Sequence, residues 1–328
     1  MCSKGRNKLT SIVRRREAPW IGIGVKGEWH DPMDAMEDAH LNFQVSSQDA
    51  YWEKPEVPLA YIANHKMVFC QPERIPIKVN VRTSDNMALG YVTEGYRIIQ
   101  NESAFKLLEP FCTAGGVITN AGMTEQGLCF MVLRMIDKEI FGDRYDFDVM
   151  CVNSFNGKFN LGLIVTPMRI ICQNMYRKIA KNDSILRLTH KTNAEDRLRA
   201  ASASVGLVNS YINGFEDGIE KAVNKQLTQS MTDEIIEMLF PYPKPGGAYE
   251  VTYRAKVDRQ REEFSEEYMK AGDNLKYIGT GMGVINAYFD WLSHHDPVKN
   301  MGGSWDHRRL SGLVSGAAVD KKVINACL

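Results

Sequence analysis

The sequence lacks the marks of several large classes of protein. No apolar run approaches the roughly 18 residues that a membrane-spanning helix needs. The first residues carry no secretory apolar core, because the short apolar stretch at residues 11–13 is flanked by charge. The seven cysteines are an odd number and form no C-x-x-C pair, which argues against a disulfide framework and a cysteine zinc site. We therefore expect a protein of the reducing cytoplasm that makes no membrane contact.

Catalytic motifs are missing as well, including G-x-S-x-G and H-E-x-x-H. The glycines of residues 279–283 lack the Lys-Ser/Thr of a phosphate-binding loop, so we predict a tightly packed helix start there. His294 and His295 are adjacent and suit a helix end better than a metal. Cys172 and His190 are the only candidate thiol–histidine pair near residues 166–175. Cys172 lies on a predicted apolar stripe, however, where a thiol is inert. We expect no catalytic residue, metal or cofactor, although a site of scattered residues would escape this search.

Net charge is zero, with 40 basic and 40 acidic residues, but the charges are unevenly distributed. Residues 1–16 hold six bases and no acid, which indicates either a flexible tail or an arm that lies along phosphates. Residues 26–61 are acidic. Residues 160–200 hold eight bases and three acids, whereas residues 216–273 hold thirteen acids and eight bases. This asymmetry predicts a basic face for phosphate, with an ordinary solvated helix face as the alternative.

Strand-like runs dominate the first half of the chain. Three runs occupy residues 66–70, 76–82 and 88–99, and Asn101 is the expected cap of a short helix that ends near Pro110. Four further runs follow at 115–123, 127–136, 145–154 and 158–165, with the hairpin signal Asn156-Gly157 before the last. Links this short cannot join parallel strands. The four runs therefore predict an antiparallel meander.

The segment after the meander is expected to be a helix. Thr166 is the predicted N-cap, and Pro167 fits the first helical position. Apolar residues through residue 179 then fall on one stripe at helical spacing, and basic and amide residues gather on another. A short strand is predicted at residues 185–190.

The second half of the chain is predicted to be helical. Helices are expected from Asn193, from Thr232, up to Ala271 and over residues 277–293, with a proline-rich loop at 241–248. The fold class is α+β, an antiparallel β-meander core packed with helices and a helical C-terminal half. We divide the chain into a basic tail (1–16), an α+β core domain (17–192) and a helical C-terminal region (193–328).

Several short motifs resemble one family. The stretch TPMRIICQNM at residues 166–175 is similar to a signature of the domain of unknown function 932 family, the phage/plasmid-like proteins. Further landmarks follow in the family's order at residues 20–24, 89–96, 100–105, 188–192 and 279–287. The resemblance spans residues 17–328 and implies a mobile genetic element in a host cytoplasm, without naming an activity.

We expect a nucleic-acid-binding protein of a phage or plasmid that binds or anneals single-stranded DNA during recombination or replication. A meander followed by a helix is similar in topology to single-strand annealing recombinases, and open sheet edges favour a homo-oligomer. Arg82 would add to this phosphate-binding surface if its strand lies beside the basic residues 160–200. The alternative is an enzyme or a host-interaction (anti-defence) factor. The predicted contact residues are Arg169, Gln173, Asn174, Tyr176, Arg177, Lys181, Arg187, His190 and Lys191.

Overall fold

A computed structural model describes residues 18–55, 70–125, 127–169, 174–175, 186–188, 194–246, 249–294, 307, 310 and 321–328. The strands are β1 (Val25–Trp29), β2 (Val45–Pro55), β3 (Cys70–Arg82), β4 (Met87–Thr93), β5 (Val117–Met123), β6 (Leu128–Ile140), β7 (Asp143–Ser154), β8 (Leu161–Arg169), β9 (Asn174–Met175) and β10 (Leu186–Leu188). The helices are α1 (Pro32–Asp38), α2 (Asn101–Phe105), α3 (Glu109–Thr113), α4 (Ala194–Asn224), α5 (Gln229–Leu239), α6 (Glu250–Lys270), α7 (Gly281–His294) and α8 (Lys321–Cys327). Short 3₁₀ turns occupy Pro19–Gly22, Lys106–Leu108 and Leu275–Tyr277.

The larger sheet contains the meander that the sequence predicts. Its strand order is β1-β5-β6-β7-β8-β10, and β9 also pairs with β8. All of these pairings are antiparallel. The turn at Asn156-Gly157 lies between β7 and β8, and Gly157 has φ +73°, the left-handed conformation that glycine adopts without steric cost. The α+β class is confirmed, with most of the helical residues after the sheet.

One face of this sheet is covered by the long helix α4. Phe215 of α4 is fully buried, with ring centroids 5.3 Å from Tyr145 and 5.4 Å from Phe147 in edge-to-face geometry. Alternate residues of β7 belong to this large core, and the residues between them face the other way. The core includes residues from both predicted regions, and the division at residue 192 stays a prediction.

The opposite face of the sheet carries a smaller apolar cluster. Trp20 of the N-terminal 3₁₀ turn and Leu310 are buried there against strand residues. Those strand residues are Leu128, Phe130, Val132, Met150, Val152, Ile164 and Met168. This face becomes polar further along β6 and β7, where the site described below lies.

A second, three-stranded sheet has the order β2-β3-β4. Strand β2 was not anticipated, because it contains four consecutive polar residues at 46–49 and lacks a β-branched run. This sheet is joined to the larger one at the β7–β8 turn, where buried Asn80 of β3 donates from Nδ2 to the carbonyl oxygen of Phe155 at 2.7 Å. A buried amide with a satisfied donor stabilises such a junction by about 1 kcal/mol.

Three expected helix ends differ from the sequence interpretation. The cap of α2 is Gln100, not Asn101, whose buried amide instead donates to the carbonyl oxygen of Leu41 at 3.0 Å. Pro110 does not end a helix but lies in the first turn of α3, where its missing N–H is harmless. Helix α5 starts earlier than predicted, because Thr228 is the cap and accepts from the Met231 amide.

The helix predicted from Pro167 is wrong where the structure describes it. Strand β8 continues through Thr166 and Pro167 to Arg169, and Asn174 and Met175 form β9. Proline is tolerated here because no described strand pairs with Pro167 on the outer side of β8. The two described strands on that side pair with β8 only near its ends. The short strand expected at 185–190 is confirmed as β10.

The glycines at residues 279–283 lie at the start of α7, as the sequence predicts. A Cβ atom on Gly281 would overlap the carbonyl oxygen of Cys327, and one on Gly283 would overlap that of Tyr277. Close backbone packing therefore explains these glycines. In the part of the chain that the structure describes, no helix is long and apolar enough to cross a membrane.

Candidate nucleic-acid interface

Two short strands of the basic segment, residues 160–200, pair with the outer edge of β8. Strand β9 pairs with the end of β8, with Arg169 opposite Asn174. Strand β10 pairs with its start, with Arg187 opposite Gly162. The chain therefore leaves β8 at residue 169, touches its edge twice, and enters α4 at residue 194. Antiparallel β pairing, rather than a helix face, positions these predicted contact residues.

The structure brings some predicted site residues together and separates others. Arg169 and Asn174 are direct cross-strand partners beside Tyr145. Arg187 lies near the other end of β8, seven residues from Arg169 along the strand, or about 23 Å at about 3.3 Å per residue. The remaining predicted contacts lie outside the described residues. They are Gln173, Tyr176, Arg177, Lys181, His190 and Lys191.

A polar row that sequence reasoning missed crosses the second face of the sheet. Asp148 is buried, and its Oδ1 lies 3.7 Å from Arg134 Nε without a hydrogen bond. Asp146 Oδ2 lies 3.4 Å from Arg134 Nη2. The available signal was Asp146-Phe147-Asp148, two acids at period two inside a run that is otherwise apolar.

Burial changes the protonation of this row. Loss of water around Asp148 raises its pKa from 3.8 to about 7, because the nearby Arg134 offsets only part of the cost of burying a charge. Burial also raises the pKa of Asp146, and the negative charge of Asp137 adds to that shift. Asp148 therefore exchanges a proton near neutral pH, whereas an exposed aspartate does not.

The neighbouring acid on β6 behaves in the opposite way. Asp137 lies directly across from Asp146 and accepts a hydrogen bond from Arg144 Nε at 2.8 Å. This hydrogen bond and the charge of Arg144 lower the pKa of the exposed Asp137 carboxyl. Two arginines thus accompany three aspartates on this face, and only the most buried acid is shifted to neutral pH.

The end of the β6–β7 hairpin is fixed to the helical half. Asp143 accepts from Lys276 Nζ at 3.0 Å through Oδ1, and Tyr277 Oη lies 2.9 Å from Oδ2. Tyr277 Oη is also 3.2 Å from the carbonyl oxygen of Phe141. Because Tyr145 of β7 pairs with Arg169, this fixed end is also the end of the sheet where Arg169 and Asn174 lie.

Many bases outside the 160–200 segment already have acidic partners. Arg82 lies on β3 of the smaller sheet and donates from Nε to Asp85 at 2.9 Å, so it does not extend the edge of β8. Other pairs are Lys54–Glu73, Arg74–Glu94, Lys106–Glu102, Lys138–Glu216 and Lys270–Glu266. Phosphate would compete with these carboxylates. Residues 160–200 also contain such a pair, with Arg199 Nη1 3.9 Å from Asp196 Oδ1, although the segment holds eight bases against three acids.

The described residues hold no group of three or more histidines, cysteines or acids that could bind a metal ion. His307 accepts through Nδ1 from the amide of Glu125 at 2.7 Å. Cys129 and Cys151 are buried in the core, and burial raises the pKa of both thiols. Buried thiols of this kind are inert. Cys172 lies outside the described residues.

Comparison with models of known protein families gives a match over most of the chain. A family model described as a domain of unknown function (DUF932) matches residues 88–313. The match includes the whole meander, both strands on the outer edge of β8, and α4 to α7. No curated protein and no solved structure matches the chain.

Proposed function

Because this chain belongs to the DUF932 family, whose description names no activity, we propose its function from geometry and charge: it binds single-stranded nucleic acid along the outer edge of β8. We place it in a phage or plasmid, in recombination or replication. The observation that carries the proposal is the attachment of the basic segment to that edge through β9 and β10.

Edge attachment gives the basic segment a defined direction. The segment has five more bases than acids, eight against three, and its two short strands pair with β8 near its two ends. The two bases that these pairings place at the edge, Arg169 and Arg187, are about 23 Å apart along β8, and a single strand repeats its phosphates along such a line. Sequence is not read by such contacts, and we expect little sequence preference.

The first prediction concerns the two arginines placed on this edge. Replacing Arg169 and Arg187 together with alanine should weaken binding of a mixed-sequence single strand, because each lost phosphate contact lowers the salt slope by about one. The measurement is a mobility shift with single-stranded DNA, duplex DNA and RNA at several salt concentrations.

The matched control is Lys54→Ala, which removes an exposed base of the smaller sheet that pairs with Glu73 at 2.7 Å. This variant should bind like the parent. If the double arginine variant keeps the parent's affinity and salt slope, the edge is an ordinary solvated surface. Absence of binding by the parent at about 50 mM salt, where phosphate contacts are strong, would refute the function itself.

The second prediction is self-association. Strand β4 has one edge with no partner among the described strands, and so does β1 at the end of the larger sheet. Open edges favour pairing with another copy, and zero net charge gives little repulsion between copies. We expect light scattering to show a homo-oligomer whose population rises with concentration. A monomer at high concentration, with and without DNA, would contradict this.

A further inference from the structure

The smaller sheet has one face without a covering layer among the described residues. Strand β3 lies between β2 and β4, and side chains alternate between the two faces along each strand. One face contains Asn80 and Gly90 and meets the β7–β8 turn, where Asn80 donates to the carbonyl oxygen of Phe155. A Cβ atom on Gly90 would overlap Asn156 of that turn. The other face, which we call the open face, points away from this junction.

The open face is largely apolar. The strand pairings place on it Ala50, Trp52, Ile75, Ile77, Val79, Val81, Ala88 and Tyr91. Tyr91 is 76% exposed and Trp52 is 44% exposed, and Val81 alone of this set is buried. A sheet normally buries its apolar face against another element, and an exposed apolar patch with a polar rim marks an interaction site. The open face therefore needs a partner.

The charges of the open face argue against nucleic acid as that partner. Its charged residues are Lys54 and Glu73, which lie opposite each other at 2.7 Å. A nucleic-acid strand on this face would meet no base that lacks an acidic partner. Phosphate contacts supply essentially all of the affinity of non-specific binding. An apolar protein surface suits the open face better.

A second copy of the chain offers such a surface with matching charge. In a two-fold dimer the same patch lies on both sides of the interface, so a patch with net charge would repel itself. The open face has one base and one acid and no net charge. Two apolar sheet faces pack against each other about 10 Å apart, with their side chains interdigitated.

We propose that two copies of the chain stack the open faces of their smaller sheets, which closes a β-sandwich of two three-stranded sheets. This inference is independent of nucleic-acid binding. It assigns self-association to a sheet face, whereas the open edges of β4 and β1 would join copies through backbone hydrogen bonds.

The test places a positive charge on either face of the smaller sheet. Trp52→Lys and Tyr91→Lys each change the open face. Tyr51→Lys is the matched control, because Tyr51 is the neighbouring residue of β2, is 58% exposed and lies on the opposite face. All three side chains are exposed, so each variant should melt like the parent.

Sedimentation equilibrium without DNA measures the dissociation constant of self-association. We expect Trp52→Lys and Tyr91→Lys each to raise this constant at least about 10-fold, because each added charge occurs on both sides of a two-fold interface. Tyr51→Lys should leave the constant unchanged.

Three results would overturn the sandwich. If both open-face variants associate as tightly as the parent, the copies meet elsewhere, for example at their open edges. Equal weakening by Tyr51→Lys would mean that added charge, and not the open face, causes the effect. A parent that is monomeric at every concentration tested would leave the open face to a different protein. Binding of single strands at the edge of β8 does not depend on any of these results.

Discussion

Replacing Asp148 with asparagine is expected to raise the free energy of unfolding at pH 8 by up to about 4 kcal/mol, at about 1.4 kcal/mol for each unit of pKa shift. The pKa of Asp148 is about 7 in the folded protein and 3.8 as an ordinary aspartate. Above neutral pH the folded protein must hold a buried carboxylate, which costs free energy. The asparagine variant has no such charge.

The sign of the effect follows from proton linkage. Between about pH 4 and pH 7 the folded state binds a proton that the unfolded state has released, so the parent loses stability as pH rises through this window. Below about pH 4 the carboxyl is protonated in both states and contributes no pH dependence. The gain from Asp148→Asn should therefore be small near pH 4 and largest above pH 7, measured by urea unfolding across this range.

Asp137→Asn is the matched control on the same face. The pKa of Asp137 is lowered, chiefly by the hydrogen bond from Arg144, so its charge favours the folded state at pH 8. Its removal should not stabilise the protein. If Asp148→Asn is no more stabilising at pH 8 than at pH 5, burial does not hold this carboxyl uncharged.

Truncating Phe215 should produce the other large effect. Phe215 is fully buried between α4 and the sheet, against the rings of Tyr145 and Phe147. Phe215→Ala should lower the free energy of unfolding by about 3–5 kcal/mol, since the removed ring leaves a cavity that the sheet cannot fill. Denaturant unfolding followed by circular dichroism measures this change.

The control for Phe215 is on the same helix. Leu207 is 51% exposed, and Leu207→Ala should change stability by no more than about 0.5 kcal/mol. Similar losses for the two variants would mean that α4 does not pack on the sheet through Phe215.

The meander could be predicted because its signals are local. Apolar strand runs, short links and the Asn156-Gly157 turn each determine structure within a few residues. The same reasoning failed at Pro167, where a proline after an apolar run fits a helix start and an edge strand equally well. Pairing of β8 with β7 decides between them, and β7 lies outside the local pattern around Pro167.

Buried polar residues were beyond local reasoning for a related reason. Asparagine is a common helix cap, but the side-chain amide of Asn101 donates to the carbonyl oxygen of Leu41, sixty residues away. Its Oδ1 accepts from Asn153 Nδ2 at 3.0 Å. Asp148 gains its raised pKa from burial on a sheet face that sequence spacing alone does not identify as covered. Of the candidate interface, the sequence predicted the basic segment, whereas the register of its two short strands along β8 required the structure.

Salt titration of single-strand binding tests the central claim most directly. The protein is mixed with a labelled mixed-sequence DNA single strand, and the binding constant is measured from about 50 mM to 200 mM salt. We expect the logarithm of the binding constant to fall linearly with the logarithm of salt concentration, with several phosphates contributing about 0.7 each, and weaker binding to a duplex of equal length. No binding at the lowest salt, or binding that ignores salt, would contradict the account.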